Sequence, residues 1–360
     1  MKRYKVLLIQ KYIPHYRIPI FEKLSEYVDL DIIYTDESKQ GIKDYTKLNV
    51  KKIKQIKIPK YGYISLCNFK RIFKKYDAVI VPLDSRPRNI SKILFSHNRK
   101  NNLIAWGIGV PASRECTYDG DEKRAEAYER VVQASDASLF YCDYPVKKYS
   151  EKGINPKKLF VANNTVLVNR TQYSPDGRDS ILFLGSLYRV KRVDELIKHY
   201  YDVTKKQSEV PTLYIIGGGE MYSELETLIN ELHLSDKVKL VGEITDDKAL
   251  QPYFDRAIAC ISPNQAGLSV LQSMGHGVPF ITLKDAITGG ERFNIKNGET
   301  GVLMDSFENL SDIIQDISNN REKYLKMGKN AYDYYWDNRT PDDMVHGFLK
   351  AIDYVTQKEN

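Results

Sequence analysis

Nowhere in the chain do about eighteen apolar residues follow one another, so no segment reads as a membrane-spanning helix. Cysteine is scarce as well. The four, Cys67, Cys116, Cys142 and Cys260, lie far apart, which excludes zinc-knuckle and CxxC spacings and suits a reducing cytoplasm. The opening MKRYKVLLIQKYIPHYR lacks a small-residue cleavage site, and its apolar run closes at Lys11, so it reads as a first β-strand rather than a leader. Acidic residues are nearly missing from one stretch: residues 51–100 hold 2 against 14 basic ones. Over residues 1–170 the basic side chains outnumber the acidic by 33 to 18, while the remainder has 21 to 29. This asymmetry suits a first half that faces an anionic surface or ligand, such as phospholipid headgroups, a lipid diphosphate or nucleic acid. A surface merely solvated by lysine gives the same counts. No aromatic-basic motif supports nucleic acid, so it is not expected as a partner.

What the chain has is length and alternation. Its 360 residues, 42% apolar and 28% charged, suit a folded protein of two domains. Strand-like apolar runs alternate with amphipathic stretches, the pattern of βαβ units and parallel sheets. In the first half, strands are expected at 5–10, 30–35, 77–82, 102–106, 138–142 and 158–164. Helices are expected at 18–27, 68–76, 88–99, 121–135 and 145–153. The pattern restarts at SILFLG (180–185) and runs through VKRVDELIKHYYDVTKK, TLYIIGGG (212–219), EMYSELETLINELHL, KVKLVGEI, DKALQPYFDRA, AIACISP, GLSVLQSMGHG, VPFITL, GETGVLM and FENLSDIIQDIS. A last helical stretch spans 321–355 with a break at Thr340-Pro341. TQYSPDGRDS (171–180) is polar and reads as a linker. The expected domains are therefore 1–170 and 181–335, with 336–360 as a C-terminal helix packing back on the first domain. The fold class is α/β, two Rossmann-like doubly wound domains facing across a cleft. Ligands in such sheets bind beyond the carboxyl ends of strands.

Five segments stand at such ends. Gly185-Ser186-Leu-Tyr-Arg189-Val-Lys191-Arg192 offers a glycine, a helix start and cations, which suit a phosphate and equally suit an ordinary β–α turn. Ile216-Gly-Gly218-Gly-Glu lets a ligand approach the backbone or lets a helix pack tightly; it is not GxGxxG, so nicotinamide binding is a poor reading. Glu243 closes the strand VKLVGEI. The loop Ser262-Pro-Asn264-Gln265-Ala266-Gly267-Leu268-Ser269 leads into a helix whose first N–H groups form an anion site, with Gln272 placed for a ribose hydroxyl and Asn264 for the sugar. His276, just before Gly277, reads as a helix C-terminal residue rather than a catalyst. In the first half, Trp106-Gly107-Ile108-Gly109 and the loop with His15, Tyr16 and Arg17 follow strands, and suit either acceptor contacts or local packing. The helix at 66–76 has Leu66, Phe69, Ile72, Phe73 and Tyr76 on one face and lysines opposite; it reads as a cover for the sheet before a membrane-surface helix.

These segments resemble the GT-B glycosyltransferases, specifically the retaining glycosyltransferase family four. GSLYRVKRVDELI is similar to G-R-L-x-x-x-K-G-x-x-x-L-I, and IIGGGEMYSELETLINELHLSDKVKLVGEI to V-G-x-G-x…L-G-L-x-x-x-V-x-F-x-G. GLSVLQSMGHGVPFIT is similar to G-L-P-V-L-E-A-M-A-x-G-x-P-V-I, and TGGERFNIKNGETGVLM to G-G-x-x-E-x-I-x-x-G-x-x-G-x-L-V. YIPHYRIPIFEKL resembles the opening of bacterial polysaccharide and O-antigen transferases. The family's E-x7-E pair falls on Asn264 and Gln272, its Arg on Ser186, and its N-terminal His on Ile108; its Lys is kept as Lys191.

The resemblance implies retaining sugar transfer without a metal or cofactor. The substrate is a nucleotide-sugar, UDP- or GDP-linked, and the acceptor is a glycan or lipid-diphosphate-linked sugar in capsule, O-antigen or lipopolysaccharide assembly. It implies Lys191, Asn264 and Gln272 at the reaction. Gly185, Ser186, Arg189, Arg192, Gly218, Glu243, Gln265, Ala266, Gly267, Leu268 and Ser269 are implied around the donor, and His15, Tyr16, Arg17, Trp106, Gly107 and Ile108 on the acceptor side. A cytoplasmic, peripheral place on the inner membrane face is expected. The neutral amides at 264 and 272 keep open a catalytically degenerate nucleotide-sugar-binding subunit; an epimerase lacks a carboxylate–His set.

Overall fold

The apolar run KVLLIQ forms β1 (Lys5–Gln10), which is covered on both faces: Val6 and Leu8 enter one core, Leu7 and Ile9 another. That is why the strand reads as continuously hydrophobic rather than alternating. The computed structural model describes residues 3–36, 47–59, 62–96, 99–112, 117–169 and 172–357, so Cys116 and the first linker residue, Thr171, lie outside the described residues. The chain divides into two units, Met1–Ala112 with Tyr118–Leu167 and Thr340–Asn360, and Ser113–Thr117 with Val168–Arg339.

In unit 1, β1 is followed by α1 (Ile18–Tyr27), β2 (Asp29–Tyr34), β3 (Asn49–Lys52), β4 (Gln55–Ile58), β5 (Gly62–Ser65), α2 (Phe69–Phe73), β6 (Ala78–Pro82), α3 (Arg88–Leu94) and β7 (Leu103–Gly107). Then come α4 (Glu122–Ala134), β8 (Ala137–Phe140), α5 (Tyr144–Glu151) and β9 (Leu159–Val161). Seven strands form one parallel sheet in the order β3-β2-β1-β6-β7-β8-β9. The order reverses between β1 and β6, which is the switch point of this unit. β4 and β5 form a separate antiparallel hairpin. No strand is expected from the sequence in this lysine-rich stretch. The expected helix at 68–76 is shorter, and Phe69 and Phe73 are buried against the sheet, as a cover helix requires.

Unit 2 repeats the scheme with β10 (Ser180–Leu184), α6 (Val193–Lys206), β11 (Thr212–Ile216), α7 (Tyr222–Glu231), β12 (Val238–Gly242), α8 (Asp247–Arg256) and β13 (Ala257–Ile261). It continues through β14 (Gln265–Ala266), α9 (Ser269–Gly275), β15 (Phe280–Leu283), β16 (Ile287–Thr288), β17 (Gly301–Met304), α10 (Asn309–Asn319) and α11 (Arg321–Asn338). The parallel sheet runs β12-β11-β10-β13-β15-β17, with its switch point between β10 and β13.

The last helix, α12 (Pro341–Thr356), starts at Thr340 with a capping box closed by Asp343 and belongs to unit 1. Its Met344, Val345, Phe348, Ala351, Ile352 and Val355 fill the core shared with α1, β1, β6 and β7. The unit boundaries fall at 167/168 and 339/340, and Ser180, which the sequence counts both in the linker and in the strand SILFLG, is the first residue of β10. Among the described residues no helix is long and apolar enough to cross a membrane.

Candidate functional site

The carboxyl ends of β10 and β13 lie side by side at the switch point of unit 2. Gly185 follows β10 with φ 149, and a Cβ built there would lie 3.2 Å from Lys191 Nζ. Lys191 sits in the 3-10 turn Arg189–Lys191 and is only 7% exposed. Its position depends on the facing loop, because Asn264 donates from Nδ2 to the Val190 carbonyl at 3.0 Å. The charge of Lys191 also reaches Cys260 on β13. Burial pushes that thiol up to about 12, against the opposing pull of Ser273, the Leu184 backbone and Lys191.

The glycine turn Gly217-Gly218-Gly219 packs against this same segment. A Cβ on Gly217 would fall 1.9 Å from the Gly185 carbonyl oxygen, and one on Gly219 would fall 2.6 Å from that of Leu187. The chains are stitched by Gly185 N–H to Ile216 (3.0 Å), Leu187 N–H to Gly218 (2.8 Å) and Met221 N–H to Leu187 (3.0 Å). Of the three glycines, Gly217 and Gly219 serve backbone packing, and Gly218 faces Glu243, whose Oε2 would be 3.5 Å from an added Cβ. Glu243 itself is exposed.

Two expected phosphate cations turn elsewhere. Arg189 is exposed and reaches Glu224 at 2.9 Å. Arg192 adopts φ 56 before α6, reaches Glu195 at 3.1 Å and lies over the Phe307 ring at 4.9 Å. Each guanidinium is held by a nearer carboxylate, so Lys191 is the cation that the fold directs to Gly185. Ser186 follows in the same turn.

Across from it, Ser262 is fully buried and donates from Oγ to the Gln265 carbonyl at 2.8 Å, bending the chain into β14. β14 pairs with β16, which holds Ala266 beside Thr288. Gly267 then opens onto space with nothing within 4 Å of an added Cβ, and Leu268 and Ser269 are half-buried at the start of α9. The first-turn N–H groups of such a helix have no acceptor within it.

Gln272 lies further along α9 and is anchored by a carboxylate that no local motif marks. Asp247, at the start of α8, accepts Gln272 Nε2 at 2.9 Å, His276 Nε2 at 3.0 Å and the Asn169 N–H at 2.7 Å. A carboxylate only accepts, so the His276 proton is on Nε2. Burial alone would raise the Asp247 carboxyl, but the hydrogen bonds from His276, Asn169 and Gln272 outweigh it and hold it below the usual carboxylate range. His276 is fully buried and stacked on Phe254 at 4.3 Å, in keeping with a structural role. A second carboxylate missed in the sequence is Glu291. It is 5% exposed, and it accepts the Gly289 N–H at 2.8 Å and Thr288 Oγ1 at 3.2 Å, one strand away from Ala266.

In unit 1 the structure corrects two expectations. Arg17 is 4% exposed and faces inward: it donates to Asn164 Oδ1 at 2.5 Å and lies over the rings of Trp106 (5.0 Å) and Tyr141 (5.1 Å). Trp106 is buried among Phe21, Tyr141 and Phe348. Both act as core, since the arginine ties the start of α1 to the segment after β9. His15 is exposed and edge-on to Tyr16, Ile108 is half-buried, and an added Cβ on Gly107 would meet Leu83 at 3.1 Å. The switch point between β1 and β6 carries instead a cavity of about 140 Å³ lined by Gln10, Lys11, Tyr63, Pro82, Asp84 and Arg86. Arg86 clips onto Asp84 at 2.6 Å.

Known proteins resemble the chain in part of its sequence and in its fold. Residues 169–334 match the family model described as glycosyl transferases group 1. The chain is 26% identical over 188 residues, 51% of its length, to an uncharacterized glycosyltransferase of Haemophilus influenzae, and spans 52% of that protein. It is 23% identical over 257 residues, 70% of its length, to the N-acetyl-alpha-D-glucosaminyl L-malate synthase of Bacillus anthracis, spanning 62% of it. The chain thus spans about half to three fifths of these curated relatives. The crystal structure of HepE from Anabaena in complex with UDP superposes with a TM-score of 0.72 at 14% identity, covering 98% of this chain and 99% of that one. Two parallel α/β units of this kind are the GT-B fold, and the stretch that matches the group 1 glycosyl transferase model, residues 169–334, lies within unit 2.

Proposed function

We propose that the protein is a glycosyltransferase that takes a sugar from a UDP- or GDP-linked donor held by unit 2 and passes it to a glycan or lipid-diphosphate-linked acceptor. The observation that carries this reading is the Lys191 ammonium, buried against Gly185 at the switch point where such sheets take their ligands. A nucleoside diphosphate is the leaving group whose negative charge grows as the sugar bond breaks. A fixed cation in a low-dielectric site stabilises that charge more in the transition state than in the ground state. The backbone amides of Ala266, Gly267, Leu268 and Ser269 add donors on the other side. Asn264 positions Lys191 through Val190, and Gln272 keeps its amide oxygen for a ribose hydroxyl.

Transfer proceeds with retention and without a metal. The acceptor hydroxyl attacks from the face that the diphosphate leaves, the anomeric C–O bond to phosphate breaks, and the hydroxyl proton passes to the departing phosphate oxygen. No protein base is required, which suits amides at 264 and 272. The unit 1 cavity at β1 and β6 takes the acceptor sugar, with Asp84 and Tyr63 as hydroxyl partners. The basic first half attaches the protein peripherally to an anionic membrane face, as surface-polysaccharide assembly needs.

The test is a thermal-shift panel of UDP-, GDP-, ADP- and dTDP-sugars with EDTA, on the wild type and Lys191→Ala. A ligand that binds only the folded state raises the melting temperature. One nucleotide is expected to raise it, and the variant to lose the effect. No shift with any of them overturns the donor site. A shift without turnover toward any acceptor favours the degenerate binding subunit, a reading to which the Gln272–Asp247 pairing also belongs.

A further inference from the structure

The hairpin β4–β5 divides its side chains by the period of two. Gln55, Tyr63 and Ser65 point to the switch-point cavity of unit 1. The opposite face carries Ile56, paired directly with Ile64, and then Leu66 beyond the strand end. These three are 52%, 36% and 58% exposed. The hairpin is not loosely attached: Tyr63 N–H donates to Arg86 O at 2.9 Å, and Asn89 bonds the Ser65 backbone in both directions, at 3.0 and 2.9 Å. The apolar face is therefore held outward by the fold.

Beside it lies a groove of about 500 Å³, with Ile64, Phe69 and Ile93 in its lining and Lys70, Arg88 and Lys92 along it. Arg88, Lys92 and Phe95 follow at intervals of four and three on α3 and its end, and so share one side; Phe95 is 44% exposed. The stretch 51–100 has 14 basic and 2 acidic residues, and neither acid lines the groove. Asp77 accepts the Lys5 N–H at 2.7 Å, and Asp84 is clipped by Arg86. Exposed aliphatic side chains with lysines around them match the boundary between headgroups and acyl chains, where apolar burial and attraction to anionic lipid add.

We infer that the outer face of the β4–β5 hairpin, with the neighbouring groove of α2 and α3, is a docking surface for a bilayer containing anionic phospholipid. This deepens the peripheral attachment proposed above and rests on it. Ile56, Ile64 and Leu66 enter the interface, and Lys70 and Lys92 face lipid phosphates. A nucleic acid would use the lysines but gain little from three aliphatic side chains presented together.

Co-flotation with vesicles of phosphatidylcholine, alone or mixed with phosphatidylglycerol, tests this on the full chain. The wild type is expected to float only with the mixed vesicles, less at high salt. Ile64→Asp with Leu66→Asp, and separately Lys70→Glu with Lys92→Glu, should each weaken binding about tenfold or more. Lys239→Glu with Lys248→Glu, which makes the same change of net charge in unit 2, should change it less than about twofold. All these side chains are exposed, so melting temperatures and the donor-induced shift should stay at wild-type values. A wild type that ignores mixed vesicles removes both the attachment and this surface. Wild-type binding kept by the unit 1 variants, or lost equally in the unit 2 control, removes the surface and leaves the attachment. Loss with the lysine changes alone reassigns the patch to a polyanion and overturns the proposal.

Discussion

The two units share a parallel doubly wound sheet, yet their switch points are furnished in opposite ways. Unit 2 has small residues there, Gly185, Ser186, Ala266 and Gly267, and one buried ammonium. Unit 1 has large side chains, with the Asp84–Arg86 clip at 2.6 Å and Tyr63 closing a cavity of about 140 Å³. Bare backbone with a fixed cation is suited to a compact anion that binds in one pose. A cavity walled by side chains is suited to hydroxyls and is easily re-specified by substitution. The difference teaches that topology fixes where each site lies, while side-chain size at the strand ends fixes what it takes.

The sharpest way to break this comparison is to exchange the roles. Lys191→Ala should lower kcat/KM for the donor by roughly a hundred- to a thousandfold, while Arg86→Ala should leave the donor-induced thermal shift within about twofold in apparent affinity. Equal effects from the two would mean that the donor is not confined to unit 2. Next in size, Arg17→Ala should destabilise unit 1 by about 2–3 kcal/mol in denaturant unfolding, through the lost ring contacts and the lost hydrogen bond to Asn164. The donor-induced shift should survive it. A variant of native stability that loses activity would restore Arg17 to the acceptor side.

Smaller, and confined to unit 2, is the effect of putting a carboxylate at 272. Gln272 donates to Asp247, so Gln272→Glu places two acids together and should cost roughly 1–2 kcal/mol at neutral pH. The cost should shrink at low pH, where the new carboxyl is protonated, and should largely vanish in Asp247→Asn. An unchanged melting temperature would show that the 272 side chain has turned away from Asp247. The last prediction concerns Asp247 alone. Its carboxyl is held below the ordinary value of 3.8, so it contributes stability that is present above that value and lost as the pH falls through its folded value. The melting-temperature advantage of the wild type over Asp247→Asn should therefore be constant near neutrality and decline in acid.

Much of this fold is legible in the sequence because its strands are buried on both faces. KVLLIQ, SILFLG and AIACISP are uninterrupted apolar runs, and only a covered parallel strand needs that. The hairpin at 55–65 is illegible for the reverse reason: QIKI alternates, and its apolar partners face out rather than into a core. At the site, Lys191 and the 262–269 loop show in local spacing, since each side chain acts within a few residues of its strand end. Asp247 does not show, because its partners at 169, 272 and 276 are far from it in sequence and meet it only in the fold. Arg17 misleads because a basic residue after a strand looks exposed until α12 closes over it. Gly217 and Gly219 read equally as ligand contact or packing until the structure shows that a Cβ on either would clash with the backbone of Gly185 or Leu187, which decides for packing.

The placement of α12 in unit 1 has a consequence for synthesis. The main body of unit 2 runs from Val168 to Arg339, and the unit is complete once that stretch has left the ribosome. Unit 1, whose first strand emerges at the outset, receives its last core residues only when Met344 to Val355 are released. At roughly 5–20 residues per second, Val6, Leu8 and Trp106 wait roughly ten to seventy seconds for the helix that covers them. The domain made first therefore matures last, and a message that stops short of codon 341 yields a finished second unit attached to a first one with an open face.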